Sequence, residues 1–597
     1  MKKLFLIPFV ALAMAGCSND EVALNGNNGG TGVESDHFLT VNLLSTPDNG
    51  TRAGGDQQNG DPNGGALYEE GYAEENDVKN VRFYFYDSDG NIVTVKKQNN
   101  IYVNYFDWEN PGVEGSDMPN VEKQLQATLI IQTKDGDGLP EQVVALINPS
   151  AEVKTTTEGL SLSELRAQIQ NDYATDVNKG GIFEMMNAVY GNSDNEAIVA
   201  TAITSDNYAP TEEAAKANPI NIYVERTVAK VRVKFGTNVN YNADTQRIAL
   251  TDGEDPIMVN GKQVYLQVGS WNLTADTDKG YLSKHINPAT WNAANSKMFA
   301  NWNYAPYFRS YWATNPTGAK QQWHTYNDIE KMGGKKYDGK QANSLYTNEN
   351  APYLAVTSTQ TTGKDIEKFT KVIIGGVLVD EEGKEIEVTK YAGITTIGED
   401  ALRDAMLKSL KDNNNLIYLA TAEGTNMKFA ELSANDVEFK TAMQAGQAKP
   451  NEPNTGRYYV YLQLTEEAAK ADWSKSNAPM TVSEWNSDPN DRKMTGAEVN
   501  QWLVTTIGKS QVYKGGLTYY YFPIRHLGAS GNIGYYGVVR NHIYDCTISA
   551  LTGLGTPVYD PDEVIYPEKP TEDDTYIAAK INILSWRVVS HNYPLEW

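Results

Sequence analysis

Apolar residues recur at every second position in many short stretches of this chain. That is the period of an extended strand, whose side chains point alternately to opposite faces. The last such stretch, Thr575-Tyr-Ile-Ala-Ala-Lys-Ile-Asn-Ile-Leu-Ser-Trp586, puts Ile577, Ala579, Ile581 and Ile583 on one face and Lys580 and Asn582 on the other. Near the opposite end, His37-Phe-Leu-Thr-Val-Asn-Leu-Leu44 sets Leu39, Val41 and Leu43 against Thr40 and Asn42. Between them the pattern predicts strands at Val78–Tyr86, Leu125–Ile131, Gln142–Ile147, Tyr458–Leu464, Gly516–His526 and Tyr535–Leu551. Val78–Val95, turning at Asp87-Ser-Asp-Gly90, and Val372–Val388 read as hairpins. Pro219–Phe235 changes phase: Ile220, Ile222 and Val224 hold even parity, Val231, Val233 and Phe235 odd. A bulge, or a bend between sheets, around Glu225–Ala229 would reconcile the halves. Helical periodicity is limited. Ser161-Leu-Ser-Glu164 is a capping box opening a helix through Ile169, and Thr495-Gly-Ala-Glu498 opens a second. Asp400–Leu410 is amphipathic, with Leu402, Ala405, Met406, Ser409 and Leu410 facing inward. Gly181–Tyr190 fits either helix or packed loop, its methionines serving a core. The expectation is a mainly β protein with a few short helices.

At 597 residues the chain exceeds a single core, so two or more domains are expected. Its net charge of -25 repels nucleic acid and anionic membrane, and no basic patch offsets it. Its two cysteines, Cys17 and Cys546, allow no disulfide framework if Cys17 is used elsewhere. Catalytic, metal and cofactor chemistry finds no support. Asp87 and Asp89 lack the full spacing and closing Glu of a calcium loop. His526 and His542, with Arg525, Arg540 and Asp545 nearby, sit in strand-like runs without a nucleophile elbow or metal spacing, so hydrogen bonding is their expected role. Gly528–Gly534 has no following helix to hold a phosphate. Cys546 reads as a buried apolar residue. The chain is expected not to be an enzyme.

The N-terminus changes the picture. Met-Lys-Lys, an apolar run to Ala13 and Met14-Ala-Gly-Cys17 form a signal peptide, too short to span a membrane. Its ending resembles a bacterial lipobox, with Met14 where Leu is usual. The resemblance implies diacylation of Cys17, and two acyl chains hold a protein stably on a membrane. Ser18-Asn-Asp-Glu21 resembles the acidic export tag of surface lipoproteins in Bacteroidetes. Behind the 37–44 strand comes a polar, Gly-rich stretch, Thr46–Gly65, with one basic residue, Arg52. Such a segment is open to proteases. It reads as an exposed loop with an incidental Arg, or as a processing site where an Arg-specific protease frees Ala53.

A strand between a lipid anchor and a cleavable Arg can be removed. Its loss would leave an apolar groove with unpaired backbone on both sides. The C-terminal strand follows an acidic, Pro-rich spacer, Pro561–Asp574. Two destinations are open to it, its own sheet or a neighbouring molecule. In the second case one molecule's tail fills the next molecule's groove, a head-to-tail contact that does not close and so builds a fibre. Burial of its isoleucines would contribute roughly 5–10 kcal/mol before association costs.

Val224-Glu-Arg-Thr-Val-Ala-Lys-Val231 resembles the Glu-Arg-x-x-Ala-Lys-Val segment of Bacteroidales fimbrilins, the type V pilus subunits. Gly537-Val-Val-Arg-Asn-His-Ile-Tyr544 resembles the Arg-Asn-x-x-Tyr strand of their C-terminal domain, and Gly553-Leu-Gly-Thr-Pro557 its following turn. Trp586 and Leu595-Glu-Trp597 resemble the ending of the short-fimbria major fimbrilin branch. The resemblance does not place the stretch from about 236 to 371. The resemblance implies two β-sandwich-like, transthyretin-like domains and no cofactor. It implies a lipoprotein precursor on the outer membrane, Arg-specific surface proteolysis, and assembly by strand exchange with copies of itself. Anchor and tip subunits and a role in adhesion would follow. Carrying both a cleavable segment and a terminal strand, the chain looks like a shaft subunit. The expected parts are a signal peptide at 1–16, a propeptide with the removable strand at 17–52, β domains at 53–236 and 237–560, and linker with donor strand at 561–597. Two alternatives remain. A surface glycan-binding lipoprotein could use Trp271, Trp291, Trp302, Trp312 and Trp323. A tip adhesin is disfavoured by the tethered terminal strand.

Overall fold

The change of phase in 219–235 is the place where the chain passes from one sheet system to another. The computed structural model describes residues 37–44, 72–287, 313–351, 368–565, 577–584 and 590–591, apart from 98–99, 112–113, 116–122, 135–136, 192–195, 253–254, 332–334, 337–343, 445–456, 488–491 and 527–535. In it the run is two strands, Ile220–Arg226 and Ala229–Phe235. Breaking at Thr227 and Val228 lets each half keep its own parity. Ile220, Ile222 and Val224 enter one core, Ala229, Val231 and Val233 another.

The N-terminal unit has seven main strands: β1 His37–Leu44, β2 Asn80–Tyr86, β3 Tyr105–Glu109, β4 Lys123–Ile131, β5 Gln142–Ile147, β6 Met185–Asn187 and β7 Ile220–Arg226. They pair in the order β3-β2-β5-β6-β7-β1-β4. β7 changes partner along its length, with Ile220–Tyr223 beside β1 and Val224–Arg226 beside β6. It therefore joins two layers whose inner faces share one core, including Leu39, Val41, Phe83, Leu129, Val143 and Ile222. A one-turn helix, α1 Glu212–Lys216, precedes β7. It is capped by Thr211, whose hydroxyl accepts from the Ala214 amide.

The second system contains β8 Ala229–Phe235, β9 Tyr265–Thr274, β10 Ser344–Thr347, β11 Lys371–Val379, β12 Leu517–Pro523, β13 Ile543–Leu551 and β14 Ile577–Leu584. One sheet runs β10-β8-β13-β14 and ends on Ser590–His591, while the other centres on β9-β11-β12. Val231, Tyr544 and Cys546 from the first sheet share a core with Trp271, Val372 and Tyr520 from the second. Tyr84, Tyr86, Val144 and Leu146, on the outer face of the N-terminal unit, join the same core. Between β11 and β12 the chain forms a separate cluster on helices α2 Glu399–Asp412 and α3 Gly496–Thr506, with Leu402, Met406, Leu462, Trp473 and Leu503 at its centre. The chain is mainly β, with several short helices.

Some local expectations change. The capping box at Ser161 is present, but its helix stops at Arg166. Ile169–Asn171 instead pairs with Lys279–Tyr281 as strand. The ambiguous 181–190 stretch contributes β6, and Met185 and Met186 are buried as core. In α2 the inward position is taken by Leu407, and Ser409 is only half-buried. The Asp87 loop is a turn: Asp87 Oδ1 accepts from the Asp89 and Asn91 amides at 2.9 and 2.8 Å. Its hairpin is brief, a Tyr86–Ile92 bridge, because β3 and β5 occupy both edges of β2. The 372–388 hairpin is likewise short, bridging at Val379 and Glu385 before Val388–Tyr391 turns to other partners. Trp271 is a core residue, 1% exposed, and so offers no sugar a platform. Trp323 is half-buried, while Trp291, Trp302 and Trp312 lie outside the described residues.

Candidate functional site: a strand held between two neighbours

β1 is held along both edges. Its whole length runs antiparallel to β4, from His37 opposite Ile131 to Leu44 opposite Gln124. The other edge is shared. Phe38 and Leu39 pair with Tyr208–Ala209, and Val41–Leu44 run parallel to Ile220–Tyr223. Leu39, Val41 and Leu43 are at most 1% exposed and point into the core. The opposite face is buried too, with Thr40 fully enclosed. Thr40 and Thr128 hydroxyls lie 3.0 Å apart. The Asn42 amide donates to Asn221 Oδ1 at 3.0 Å and its carbonyl accepts from Gln126 Nε2 at 2.8 Å. A gap of about 10 Å³, room for roughly one water, lies at the Leu43 end, between Val78, Leu125, Met185 and Val224.

The segment after the Gly-rich stretch is fixed at the joint between the two sheet systems. Glu75 and Lys230 form an ion pair at 2.6 Å with both side chains 1% exposed. The Lys230 ammonium also lies 3.6 Å from the Tyr72 ring centroid. Tyr346 donates its hydroxyl to Glu75. Arg226 donates to the Glu75 carbonyl at 2.9 Å, to Asn541 Oδ1 at 3.1 Å and to Asn76 Oδ1. Thus the two sequence segments singled out above, 224–231 and 537–544, meet here through Arg226 and Asn541. Arg540 is held by Glu349 at 2.7 Å and by the Leu282 and Tyr281 carbonyls. Glu75 and Asn76 were not picked out from sequence, because two polar residues before a strand carry no period or spacing.

The histidines take the structural role. His526 Nδ1 lies 2.9 Å from the Tyr544 hydroxyl, and His542 Nδ1 donates to the Arg540 carbonyl at 2.7 Å. Their rings meet edge-on at 5.2 Å. Asp545 pairs with Arg232 and Lys234 of β8. Cys546 is fully buried, and burial pushes its thiol well up.

β14 lies at home in the single chain. It runs antiparallel to β13, from Leu584 opposite Ile543 to Ile577 opposite Leu551, with a register shift between Ile548 and Ala550. Among the described residues its other edge meets Ser590–His591 alone. The structure thus places Leu39, Val41 and Leu43 in one sheet system and Ile577, Ala579, Ile581 and Ile583 in the other. Cys17, Arg52 and Ala53 lie outside the described residues.

Residues 511–592, running from the short strand Gln511–Tyr513 through β12, β13 and β14, match the family model "Major fimbrial subunit protein type IV, Fimbrillin, C-terminal". This C-terminal part of the chain is similar to the C-terminal domain of fimbrilins. No curated protein matches it. Among solved structures, a fimbrilin from Porphyromonas gingivalis W83 is similar at 11% identity, covering 93% of this chain and 98% of its own, with a TM-score of 0.36. The tip fimbrial protein Mfa3 of Porphyromonas gingivalis, C-terminally truncated, aligns at 10% identity over 89% and 98%, TM-score 0.29. A fimbrial assembly protein from Parabacteroides distasonis aligns at 10% identity over 75% and 98%, TM-score 0.27.

Proposed function

We propose that this protein is a fimbrilin and the shaft subunit of a surface fimbria. It is exported as a lipoprotein through Cys17, cut after Arg52 by an Arg-specific protease, and begins at Ala53 when mature. Polymerisation then proceeds by donor-strand exchange: β14 of one copy takes the place of β1 in the next. Anchor and tip subunits of the same fimbria are further partners.

The observation that supports this is the position of β1. It is internal to its sheet, buried on both faces, and joined to the remainder only through the 45–71 stretch that contains Arg52. Cleavage would free it covalently while Tyr72–Asn76 remain tied to Lys230, Arg226 and Tyr346. The gap would expose the β4 and β7 backbone edges and the sockets of Leu39, Val41 and Leu43. Those three side chains are worth roughly 5–9 kcal/mol of burial, enough to keep β1 in place until a strand of equal pattern replaces it.

N-terminal sequencing of protein from surface fibres should read from Ala53. Arg52→Ala should trap a lipidated, monomeric precursor. Fibre material that begins at Cys17, still acylated, would refute the scheme.

A further inference from the structure

Apolar parity alone does not say how an incoming strand sits in the β1 position. This inference rests on the strand-exchange reading. Sockets at Leu39, Val41 and Leu43 accept any strand with three apolar residues of one parity, and a slip of two residues preserves that parity. β14 has four such residues, Ile577, Ala579, Ile581 and Ile583. It therefore fits in two registers. In one, Ala579, Ile581 and Ile583 fill the three sockets. In the other, Ile577, Ala579 and Ile581 do so.

The outer face of β1 distinguishes them. Gln126, Asn42 and Asn221 stand opposite one another on β4, β1 and β7. The three amides form a row across the strands, with Asn42 donating to Asn221 and accepting from Gln126. Asn42 itself is 8% exposed, so its amide is held mainly by these two partners. Val41-Asn42-Leu43-Leu44 has one counterpart in β14, Ile581-Asn582-Ile583-Leu584. Only the first register brings an amide to the centre of the row. The second brings Lys580 there, which has donors but no acceptor for Gln126 Nε2.

We propose that Asn582 sets the register of assembly: in the fibre it occupies the Asn42 position of the next copy, donating to Asn221 and accepting from Gln126. Lys580 then stands where Thr40 was, opposite Thr128. Ala579 occupies the Leu39 socket and underfills it.

Cysteine pairs read the register without touching the amide row. Thr40 and Thr128 hydroxyls approach to 3.0 Å, so cysteines at these two positions can reach one another. In full-length protein processed after Arg52, T128C with K580C reports the proposed register and T128C with A578C the slipped one. In the single chain Lys580 stands opposite Thr547, and Cys546 is buried, so neither pair has a competing bond. The expected result is a disulfide-linked ladder on a non-reducing gel, about ten-fold stronger for T128C/K580C. Adding Asn582→Ala should bring the two yields together. Preference for T128C/A578C, or a preference unchanged by Asn582→Ala, would overturn the register while leaving strand exchange standing. Filaments that form with neither cross-link would overturn strand exchange itself.

Discussion

β1 and β14 are both eight residues long and alternate in the same way, yet the molecule holds them differently. β1 has a partner along each edge; Leu39, Val41 and Leu43 are buried between the layers of its unit, and Thr40 is buried on the other face. Among the described residues β14 has one full-length partner, β13, in a register broken between Ile548 and Ala550, and Ser590–His591 alone beyond it. An alternating strand with both ladders satisfied stays until it is cut loose from the chain, and one satisfied on a single edge is available for trade. In the proposed exchange, like pattern lets one strand replace the other, and the less-satisfied edge marks β14 as the one that travels.

The largest test removes the traveller. Deleting residues after Asp574 should abolish filaments in electron micrographs and leave processed monomer by size-exclusion chromatography. Next come mirrored charge insertions. Val41→Asp places a carboxylate in a closed core and should cost the precursor at least 4 kcal/mol, read by denaturant unfolding. After processing it should have no effect, because β1 has gone. Ile581→Asp should do the reverse, sparing precursor stability and blocking assembly. Equal damage to precursor from both would erase the contrast between the strands.

A third test loosens the joint that stays behind. Lys230→Ala leaves Glu75 buried without its cation and should destabilise precursor and mature forms alike by about 3–5 kcal/mol in chemical unfolding. The fourth uses pH. Glu184 is buried, accepts from the Ser150 amide and from Gln170, and burial pushes its carboxyl up to about 7. A glutamate in the unfolded chain titrates near about 4.3. The folded form therefore holds the proton more tightly, and the stability this confers is complete below about pH 4 and lost as pH rises through about 7. Glu184→Gln should flatten that decline, on the order of 3 kcal/mol between pH 4 and 8 in thermal unfolding. The smallest effect is Asn42→Leu, which keeps the branched outline but removes the amide between Asn221 and Gln126. The precursor should lose about 1–2 kcal/mol.

Both strands were legible in sequence because a period of two survives any tertiary setting that buries one face. The bend at Thr227 and Val228 was legible for the same reason, as a conflict of parity within one run. Pairing was not. Nothing in 219–235 says that β7 runs parallel to β1, or that β8 runs parallel to β13, since parallel neighbours are brought together by distant connections. The 181–190 stretch was ambiguous because its strand spans only Met185–Asn187, too short to show a period. The polar joint was half legible. Arg226, Lys230 and Asn541 stood inside segments that resembled fimbrilins, while Glu75 and Tyr346 reach them only through folding. The α2–α3 cluster was visible as separate helices and strands, but its cohesion around Trp473 was not.

In the proposed exchange β7 would give the vacancy a particular shape. Its second half is stitched to β6, which has no part in any exchange, and its first half faces β1. When β1 departs, β7 is left like a door on one hinge, firm at Val224 and loose toward Ile220. An arriving tail would find its first steady partner near Tyr223 and would close the seam from there outward.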